Sequence, residues 1–361
     1  MISQKAMQHA EKCRFCWMCR HLCPIQHQTG KELNTPRAKG LLLSMVSKNT
    51  AEFDKDMALA MYECMLCDAC VNDCCTGYQP PVYIREARTE AVVNDLAPEA
   101  VMQLIENVDA TGNIYGMEKP SFAQDGSDVL VYVGEVAACK VPGMAKALLS
   151  VLKKAGVSAK VLDNEPASGF MLADLMGYVE EVSQQAKACA NAINGAGLPT
   201  VVVLDSYDAE IMKQHYAEWG CEIQAEVVTV TSYIAKLLDA GKLTLKAQQL
   251  GSGACHDDDR LARSFYEFAP IRAIAKAAGF DVAEMFHKER LAKSCGTAVA
   301  LAYMPEITVK VAGGRWQDLL RAGAKSMLTA SPQAYLCLSQ CVPEGKDLVD
   351  LFAALDGAVS E

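Results

Sequence analysis

Two runs of cysteines with the same internal spacing constrain this chain more than any other feature of its sequence. In each run, two residues separate neighbouring members of the first three cysteines, and three residues separate the third from the fourth. The first run is Cys13, Cys16, Cys19 and Cys23, and the second is Cys64, Cys67, Cys70 and Cys74. Pro24 follows the first run, and Cys75 takes the corresponding place after the second. The repeated spacing indicates that the chain contains two sites of the same chemical kind.

This spacing is typical of segments that hold two [4Fe–4S] clusters. Three thiolates spaced two residues apart can wrap around one cubane, whereas the fourth lies too far along the chain and binds the other cubane. The first predicted ligand set is therefore Cys13, Cys16, Cys19 and Cys74. The second predicted set is Cys64, Cys67, Cys70 and Cys23. His21 and His27 are interpreted as surface or capping residues, because the cysteine sets are already complete.

Zinc and disulfides are the competing explanations for so many cysteines. Zinc ribbons use two Cys-x2-Cys pairs, but they do not require two sets of four with identical spacing. The chain has 361 residues, of which 51% are hydrophobic and 16 are cysteine, so it can bury a sizeable core without a disulfide framework. Iron–sulfur clusters are therefore the favoured interpretation.

The charge distribution narrows the range of partners. A net charge of −10 argues against a general nucleic-acid binder, which usually needs a basic surface. Residues 1–50 nevertheless hold eight Lys or Arg residues against two Asp or Glu residues. This basic segment could surround an anionic cluster or be an ordinary solvated face, and the sequence leaves both interpretations open.

Composition divides the chain into three regions. Residues 1–100 contain nine of the sixteen cysteines and have helical patterning at 51–63 and 82–95, which predicts a mainly helical two-cluster ferredoxin domain. Residues 101–127 are interpreted as a connector. From residue 128 onwards short apolar runs alternate with longer helical stretches, which indicates an α/β fold with a mainly parallel sheet.

Individual elements of the α/β region follow from the same patterns. Strands are predicted at 129–135, 200–205 and 325–331. Helices are predicted at 143–155, 170–194, 208–219, 261–278 and 297–322.

The α/β region repeats itself weakly. Asp205 lies 36 residues after Gly169, and Ser331 lies 35 residues after Gly296. An Ala-Gly pair followed by a strand pattern precedes Gly169 and also precedes Gly296. These offsets predict two Rossmann-like copies of one unit, at residues 128–245 and 246–361.

No run of 18 or more residues lacks both charges and helix breakers, and the first 16 residues lack an apolar signal-peptide core. A cytoplasmic location is expected, with any membrane contact made through a partner.

The chain resembles a known family in two segments. CPIQHQTGKELNTPRAKGLLL after the first run and YECMLCDACVNDC at the second resemble the iron–sulfur subunits of glycolate oxidase and of anaerobic glycerol-3-phosphate dehydrogenase. They also resemble heterodisulfide reductase subunits, which combine a two-cluster ferredoxin domain with a duplicated cysteine-rich domain. The resemblance spans nearly the whole chain and matches all eight ferredoxin cysteines.

In that family each C-terminal repeat carries a Cys, then Cys-Cys-Gly, then Cys-Pro-x-Cys after a strand. The first repeat here keeps Cys139, but residues 167–169 read Ala-Ser-Gly and residues 205–208 read Asp-Ser-Tyr-Asp. The resemblance therefore implies that the first repeat has lost its metal site.

The second repeat keeps more of the pattern. Cys255 is followed by His256, Cys295 is preceded by Ser294, and residues 331–334 read Ser-Pro-Gln-Ala. A third, unorthodox metal site is conceivable at Cys255, Cys295, Cys337 and Cys341, because a helix starting near Pro332 would place the last two on one face. The alternative is that these four are buried thiols that behave as small hydrophobic residues.

The expected function is that of an iron–sulfur electron-transfer subunit in a multisubunit oxidoreductase. By resemblance, a flavin-dependent dehydrogenase and further electron-transfer subunits are the expected partners. No catalytic residue stands out, and no GxGxxG sequence lies in a strand–turn–helix context, so no nucleotide cofactor is assigned. The alternatives are a catalytic, heterodisulfide-reductase-like subunit that uses residual cysteines of the second repeat, and a docking or scaffold subunit.

Overall fold

Eight α-helices occupy the N-terminal part of the computed structural model, which describes residues 2–360. Two of them show why helices begin where they do. The side chains of Thr35 and Asp54 accept hydrogen bonds from backbone N–H groups of the first turns of α4 and α5. The eight helices are α1 (Gln4–Glu11), α2 (Met18–Leu22), α3 (Pro24–Thr29), α4 (Pro36–Ser47), α5 (Lys55–Tyr62), α6 (Ala69–Asn72), α7 (Pro80–Val93) and α8 (Glu99–Thr111).

Both helices predicted in this region exist, with shifted ends. The pattern at 51–63 corresponds to α5, and the pattern at 82–95 corresponds to α7. The segment predicted as a connector, 101–127, is not irregular throughout, because α8 occupies its first part. Helix α8 is capped by Gly112, which has a left-handed backbone.

Two four-stranded parallel sheets lie in the rest of the chain, and they confirm the α/β class. The first sheet has the order β2-β1-β3-β4, and the second has the matching order β6-β5-β7-β8. Leu130 pairs with Lys160 on one side and Val201 on the other. The strands are β1 (Val129–Tyr132), β2 (Ala159–Lys160), β3 (Thr200–Val203), β4 (Glu226–Thr229), β5 (Gly251–Cys255), β6 (Phe280–Ala283), β7 (Ser326–Thr329) and β8 (Asp347–Asp350).

Twelve helices connect or flank these strands. The first unit has α9 (Glu135–Cys139), α10 (Pro142–Lys154), α11 (Phe170–Met176), α12 (Glu180–Gly195), α13 (Ser206–Gln214) and α14 (Val230–Asp239). The second unit has α15 (Asp259–Arg263), α16 (Ala269–Ala277), α17 (Ala298–Tyr303), α18 (Pro305–Ala322), α19 (Pro332–Leu338) and α20 (Leu351–Ala358).

Several helices predicted as continuous are broken, and the breaks have local causes. The segment 170–194 is interrupted at Gly177, which has φ +80° and approaches α7 closely. The segment 297–322 is interrupted before Pro305, because proline lacks the N–H that a continuing helix needs. The segment 261–278 stops at Arg263 and resumes at Ala269, and 208–219 ends at Gln214 before a 3₁₀ turn.

The two units pack against each other through helices, and the N-terminal helices pack against both. Helix α10 contacts α20, α14 contacts α16, and one apolar core includes side chains from both sheets. Helix α3 lies on α18 of the second unit, and α7 lies on α11 of the first. The cysteine runs therefore lie on a helical layer that the α/β units support.

No helix in residues 2–360 is both long and apolar enough to span a membrane.

Candidate functional site

The loops of the two cysteine runs have the same unusual backbone. Phe15 and Leu66 each lie two residues after the first cysteine of their run, and both have positive φ values, +53° and +50°. Trp17 and Asp68, two residues further on, also have positive φ values, +70° and +60°. Left-handed backbone is uncommon outside glycine and is retained only where the surroundings impose it. The repetition of this conformation at four non-glycine positions indicates that both loops are shaped around the same kind of group.

Each loop also turns a backbone donor toward its first sulfur. The N–H of Phe15 donates to the Sγ of Cys13, and the N–H of Leu66 donates to the Sγ of Cys64, both over 3.4 Å. Backbone donors to sulfur favour the thiolate over the thiol. The loops are therefore suited to hold charged sulfur ligands.

A first cavity lies inside the loop of the first run. Its walls include Arg37, Tyr78 and Thr76. Its four cysteines are Cys13, Cys16, Cys19 and Cys74. Three come from the first run and one from the second, which is the set that the spacing predicts for one cluster.

A second cavity lies inside the loop of the second run. Its walls include Lys39, Pro36 and Ile84. Its four cysteines are Cys23, Cys64, Cys67 and Cys70. Three come from the second run and one from the first, so the exchange of the fourth cysteine is reciprocal.

Packing of the two short helices that follow the loops produces this exchange. Helix α2 contacts α6, so the end of each helix lies beside the loop of the other run. Cys23 directly follows α2, and Cys74 lies two residues after α6. Ligation by these eight residues stays a prediction, but the arrangement of their side chains matches it.

The donor set fits a cubane rather than a single ion. In residues 2–360, no three His, Cys, Asp or Glu side chains converge on a point that one metal ion could occupy. A cubane makes a different demand, because four thiolates surround a cage and each binds a separate iron. Two cavities, each with four cysteines on its walls, meet that demand.

Burial keeps several of these thiols protonated when no metal is bound. It raises the pKa of Cys19 and of Cys23 to about 11, and it raises the pKa of Cys70 well above its usual value. Cys74 differs: burial acts in the same direction, but hydrogen bonds from Thr76 and nearby backbone N–H groups outweigh it and lower the pKa. Metal binding at these thiols must displace protons.

The two cavities differ in exposure. Phe15 and Trp17, on the wall of the first cavity, are 47% and 43% exposed, and Cys16 between them is exposed as well. Met65 and Leu66, which lie between the first two cysteines of the second run, are 3% and 1% exposed. Apolar side chains between the cysteines therefore shield only the second cavity. The first cavity lies at the molecular surface.

Arginines from the second α/β unit fix the loop of the second run. Arg260 donates to the carbonyl of Leu66 at 2.9 Å and also contacts the carboxylate of Asp68. Arg263 donates to the carbonyl of Cys67 at 2.8 Å and pairs with Asp259 at 2.6 Å. Sequence reasoning missed both arginines, because charged residues on a short helix carry no sign that they are buried.

The first repeat carries hydrogen-bonded carboxylates at its degenerate motifs. Ser168 donates to Asp208, and Asp205 accepts a hydrogen bond from Gln333 at 2.9 Å. Glu165 accepts from the backbone N–H groups of Val133 and Gly134, at 2.7 and 2.9 Å. Cys139, the cysteine that this repeat keeps, ends α9 and is partly exposed.

The four cysteines considered for a third site do not meet in one place. Cys255 packs in the core shared by the two units, whereas Cys295, Cys337 and Cys341 belong to an apolar cluster that includes Ala254 and Trp316. Adjacent residues of β5 point to opposite faces of the sheet, so Cys255 and Ala254 face different cores. Helix α19 does begin at Pro332, but it ends at Leu338, and Cys341 lies in a following 3₁₀ turn.

Cys295 and His256 do lie side by side, in an arrangement that does not activate the thiol. Arg315 donates from Nε to the Nδ1 of His256 at 3.1 Å, and arginine nitrogens only donate. The ring proton is therefore on Nε2, which faces the Sγ of Cys295 at 3.3 Å. Burial, with nearby Arg315, lowers the pKa of His256 well below its usual value, and burial raises that of Cys295.

Comparison with known proteins gives relatives at low identity, and their names are those of a ferredoxin and of oxidoreductases or their subunits. No family model matches the chain. A probable membrane-anchored ferredoxin from Chromohalobacter salexigens is 23% identical over 82% of this chain and 48% of its own length. A subunit of the dihydromethanophenazine:CoB–CoM heterodisulfide reductase from Methanosarcina barkeri is 22% identical over 90% of this chain and 87% of its own.

These relatives support an iron–sulfur electron-transfer family. An EtfAB:quinone oxidoreductase from Syntrophomonas wolfei is 23% identical over 91% of this chain and 53% of its own length. The chain thus spans about half the length of two of these relatives. A solved structure of a hypothetical protein from Helicobacter pylori aligns with 100% of the chain and 73% of its own, with a TM-score of 0.59 and 11% identity, a likeness of fold alone.

Proposed function

We propose that this chain is an iron–sulfur electron-transfer subunit that holds two [4Fe–4S] clusters, one in each cysteine cavity. The observation that carries the proposal is the reciprocal exchange of the fourth cysteine between the two cavities. A zinc ribbon or a set of buried thiols has no need for this crossed arrangement. A two-cluster site does, because the spacing within each run makes the fourth thiolate available only to the other cubane.

The protein's own residues would bind, orient and insulate the clusters, which supply one-electron redox chemistry. The left-handed loops aim three thiolates inward, and backbone N–H groups stabilise the charge on Cys13 and Cys64. Met65 and Leu66 exclude water from the second cavity. Because the first cavity lies at the surface, it is the side from which a docked protein can exchange electrons.

The proposed partners are a flavin-dependent dehydrogenase and further electron-transfer subunits. The names of the relatives favour a multisubunit setting, since one is a component of a heterodisulfide reductase and another an oxidoreductase acting between EtfAB and quinone. We propose that the chain relays single electrons between such a dehydrogenase and a downstream acceptor, without a substrate site of its own.

The geometry does not favour a catalytic, thiol-based alternative at the second repeat. Cys295 is 2% exposed, and the nitrogen of His256 that faces it already carries the ring proton. A general base must offer a free lone pair to the proton that it removes. His256 cannot do so in this tautomer, and electron relay therefore remains the function that the site supports best.

Iron and sulfide analysis of anaerobically purified protein, followed by electron paramagnetic resonance of the reduced form, tests the proposal. We expect about eight irons per chain, because each of two cubanes contains four, and two interacting S = 1/2 signals. The crossed assignment predicts that Cys74→Ala disturbs the same signal as Cys16→Ala, and that Cys23→Ala disturbs the same signal as Cys67→Ala.

Cys75→Ala provides the matched control, because Cys75 is an exposed neighbour of Cys74 and lines neither cavity. It should leave both signals unchanged. Protein that contains only zinc, or no metal, would contradict the function. If Cys23→Ala disturbed the same signal as Cys16→Ala, the clusters would stand but the crossed ligation would be wrong.

A further inference from the structure

Two buried cations beside the second cavity lack a carboxylate partner anywhere in residues 2–360. Lys39 is 2% exposed and lines the cavity, and its Nζ donates to the carbonyl of Ala60. Arg88 is 1% exposed and donates to the carbonyl of Cys64 at 2.6 Å. Neither residue lies within 4.0 Å of a carboxylate oxygen of the described chain, the distance of an ion pair.

The other neighbours of Arg88 are also neutral. Its guanidinium donates to the carbonyl of Asp174, and its Cζ lies 4.9 Å from the centre of the Tyr62 ring. The hydroxyl of Tyr303 is 3.3 Å away. The carboxylate of Asp174 pairs instead with Arg85, at 3.1 Å. Carbonyls and rings thus stabilise the guanidinium without cancelling its charge.

Burial without a counter-charge disfavours the charged form of a cation, so an anion nearby is what keeps these two groups charged. The second cavity is where the missing anion fits. Lys39 is on its wall, and Arg88 binds the carbonyl of one of its four cysteines. The wall also carries two carboxylates, Glu63 and Asp68, of which Asp68 pairs with Arg260. A cubane held by four thiolates carries net negative charge, which grows when an electron is added.

The first cavity has no comparable pair of buried, uncompensated cations among the described residues. Arg37 lies on its wall, but Arg37 pairs with Glu32 at 2.7 Å and stacks on the exposed ring of Trp17. Arg14, on the same wall, is exposed. Charges near solvent are screened by water and salt, whereas buried charges act through a lower effective dielectric.

We propose that Lys39 and Arg88 are the counter-charges of the second cluster and make it the higher-potential of the two. This inference rests on the proposed function, since it requires clusters in both cavities. An electron added to the second cluster is stabilised by two buried positive charges, and an electron added to the first is not. Electrons that enter at the exposed first cavity therefore collect at the buried second one.

Anaerobic redox titration, monitored by electron paramagnetic resonance, tests this in the wild type and in Lys39→Met. The signals are assigned to cavities by Cys16→Ala and Cys67→Ala. The second cluster should have the higher potential in the wild type. Lys39→Met should reduce the equilibrium constant for electron transfer from the first to the second cluster at least tenfold, which is about 59 mV for one electron. Lys39→Arg, which keeps the positive charge, should have an equilibrium constant close to that of the wild type.

Arg37→Met is the matched control at the first cavity, and it should leave the potential of the second cluster unchanged. A salt titration of the wild type needs no variant: rising ionic strength should move the potential of the first cluster more than that of the second. The inference is overturned if the second cluster has the lower potential, if salt moves its potential as much as that of the first, or if Lys39→Met moves both potentials equally or neither. Iron-free protein would instead overturn the proposed function.

Discussion

At the scale of single residues, burial sets the charge of acidic groups in the first repeat, at residues 205–208 and at the start of α9. Burial raises the pKa of Glu135 and of Asp205 to about 7, and it raises the pKa of Asp208 well above its usual value. Hydrogen bonds from the N–H of Tyr207 and the amide of Gln333 oppose this at Asp205 without cancelling it. Glu135 and Asp205 therefore take up protons near neutral pH.

Replacing Asp205 by Asn should weaken the pH dependence of folding stability. An unfolded aspartate takes up its proton near pH 4, whereas Asp205 in the folded protein does so near pH 7. Between these values the folded state binds more protons, so the free energy of unfolding falls as the pH rises. Asp205→Asn removes one such group and should flatten the slope measured by urea unfolding between about pH 5 and pH 7.

Asp347→Asn is the control for this measurement, because Asp347 is exposed and pairs with the exposed Lys325. It should leave the slope as it is in the wild type. An unchanged slope in Asp205→Asn would mean that the carboxylate of Asp205 is already charged at pH 5.

At the scale of elements, close approach of helices decides where the chain must bend. Gly177 has φ +80° and ψ −169°, a conformation that is nearly exclusive to glycine. A Cβ at this position would overlap the side-chain oxygen of Thr89 on α7. The end of α11 can therefore lie against α7 only if residue 177 has no side chain.

Gly177→Ala should lower the free energy of unfolding by about 1–3 kcal/mol, because it adds backbone strain to the overlap with α7. Gly143→Ala is a matched control: Gly143 lies in the first turn of α10 with ordinary backbone and no atom near an added Cβ. That substitution should change stability by less than about 1 kcal/mol, toward stabilisation. Urea unfolding measures both, and equal effects would refute the account of this turn.

Sequence patterns predicted the elements better than the places where they end. Apolar runs revealed β1, β3 and β7, because buried parallel strands read as continuous hydrophobic segments. The break at Gly177 depends on the approach of α7, which lies more than 80 residues earlier in the chain. β2 has only two residues, too few for a pattern to reveal.

At the candidate site, too, features set by local sequence were predicted, whereas features set by contacts between distant residues were not. The spacing of the cysteines was enough to predict which four would line each cavity. Lys39 and Arg88 were not predicted, because long charged residues on helices usually face solvent. Their burial depends on contacts with Ala60, Cys64 and Tyr303, which only the folded chain brings together.

At the scale of the whole molecule, the second α/β unit supports the loop of the second cysteine run. Arg260 is fully buried between Asp68, which belongs to that loop, and Glu210 of the first unit, at 2.9 Å. One guanidinium therefore joins all three parts of the chain. The α/β units thus have a structural role in holding the loop of the second cysteine run.

Arg260→Leu should destabilise the protein by about 3–5 kcal/mol, because it removes a buried guanidinium that pairs with the partly buried carboxylates of Glu210 and Asp68. Arg321→Leu is the control, since Arg321 is largely exposed and lies 3.5 Å from Asp318. It should change the free energy of unfolding by less than about 1 kcal/mol. Urea unfolding compares the two, and a similar small effect of both would show that Arg260 does not join the three parts.

The central claim is that eight thiolates from two crossed runs enclose two cubanes. Anomalous X-ray scattering at the iron edge, from crystals of anaerobically purified protein, tests it most directly. The account predicts two cubane-sized iron peaks, one beside Cys16 and Cys74 and the other beside Cys67 and Cys23. Cavities that hold single zinc ions, or no metal in an iron-replete preparation, would contradict it.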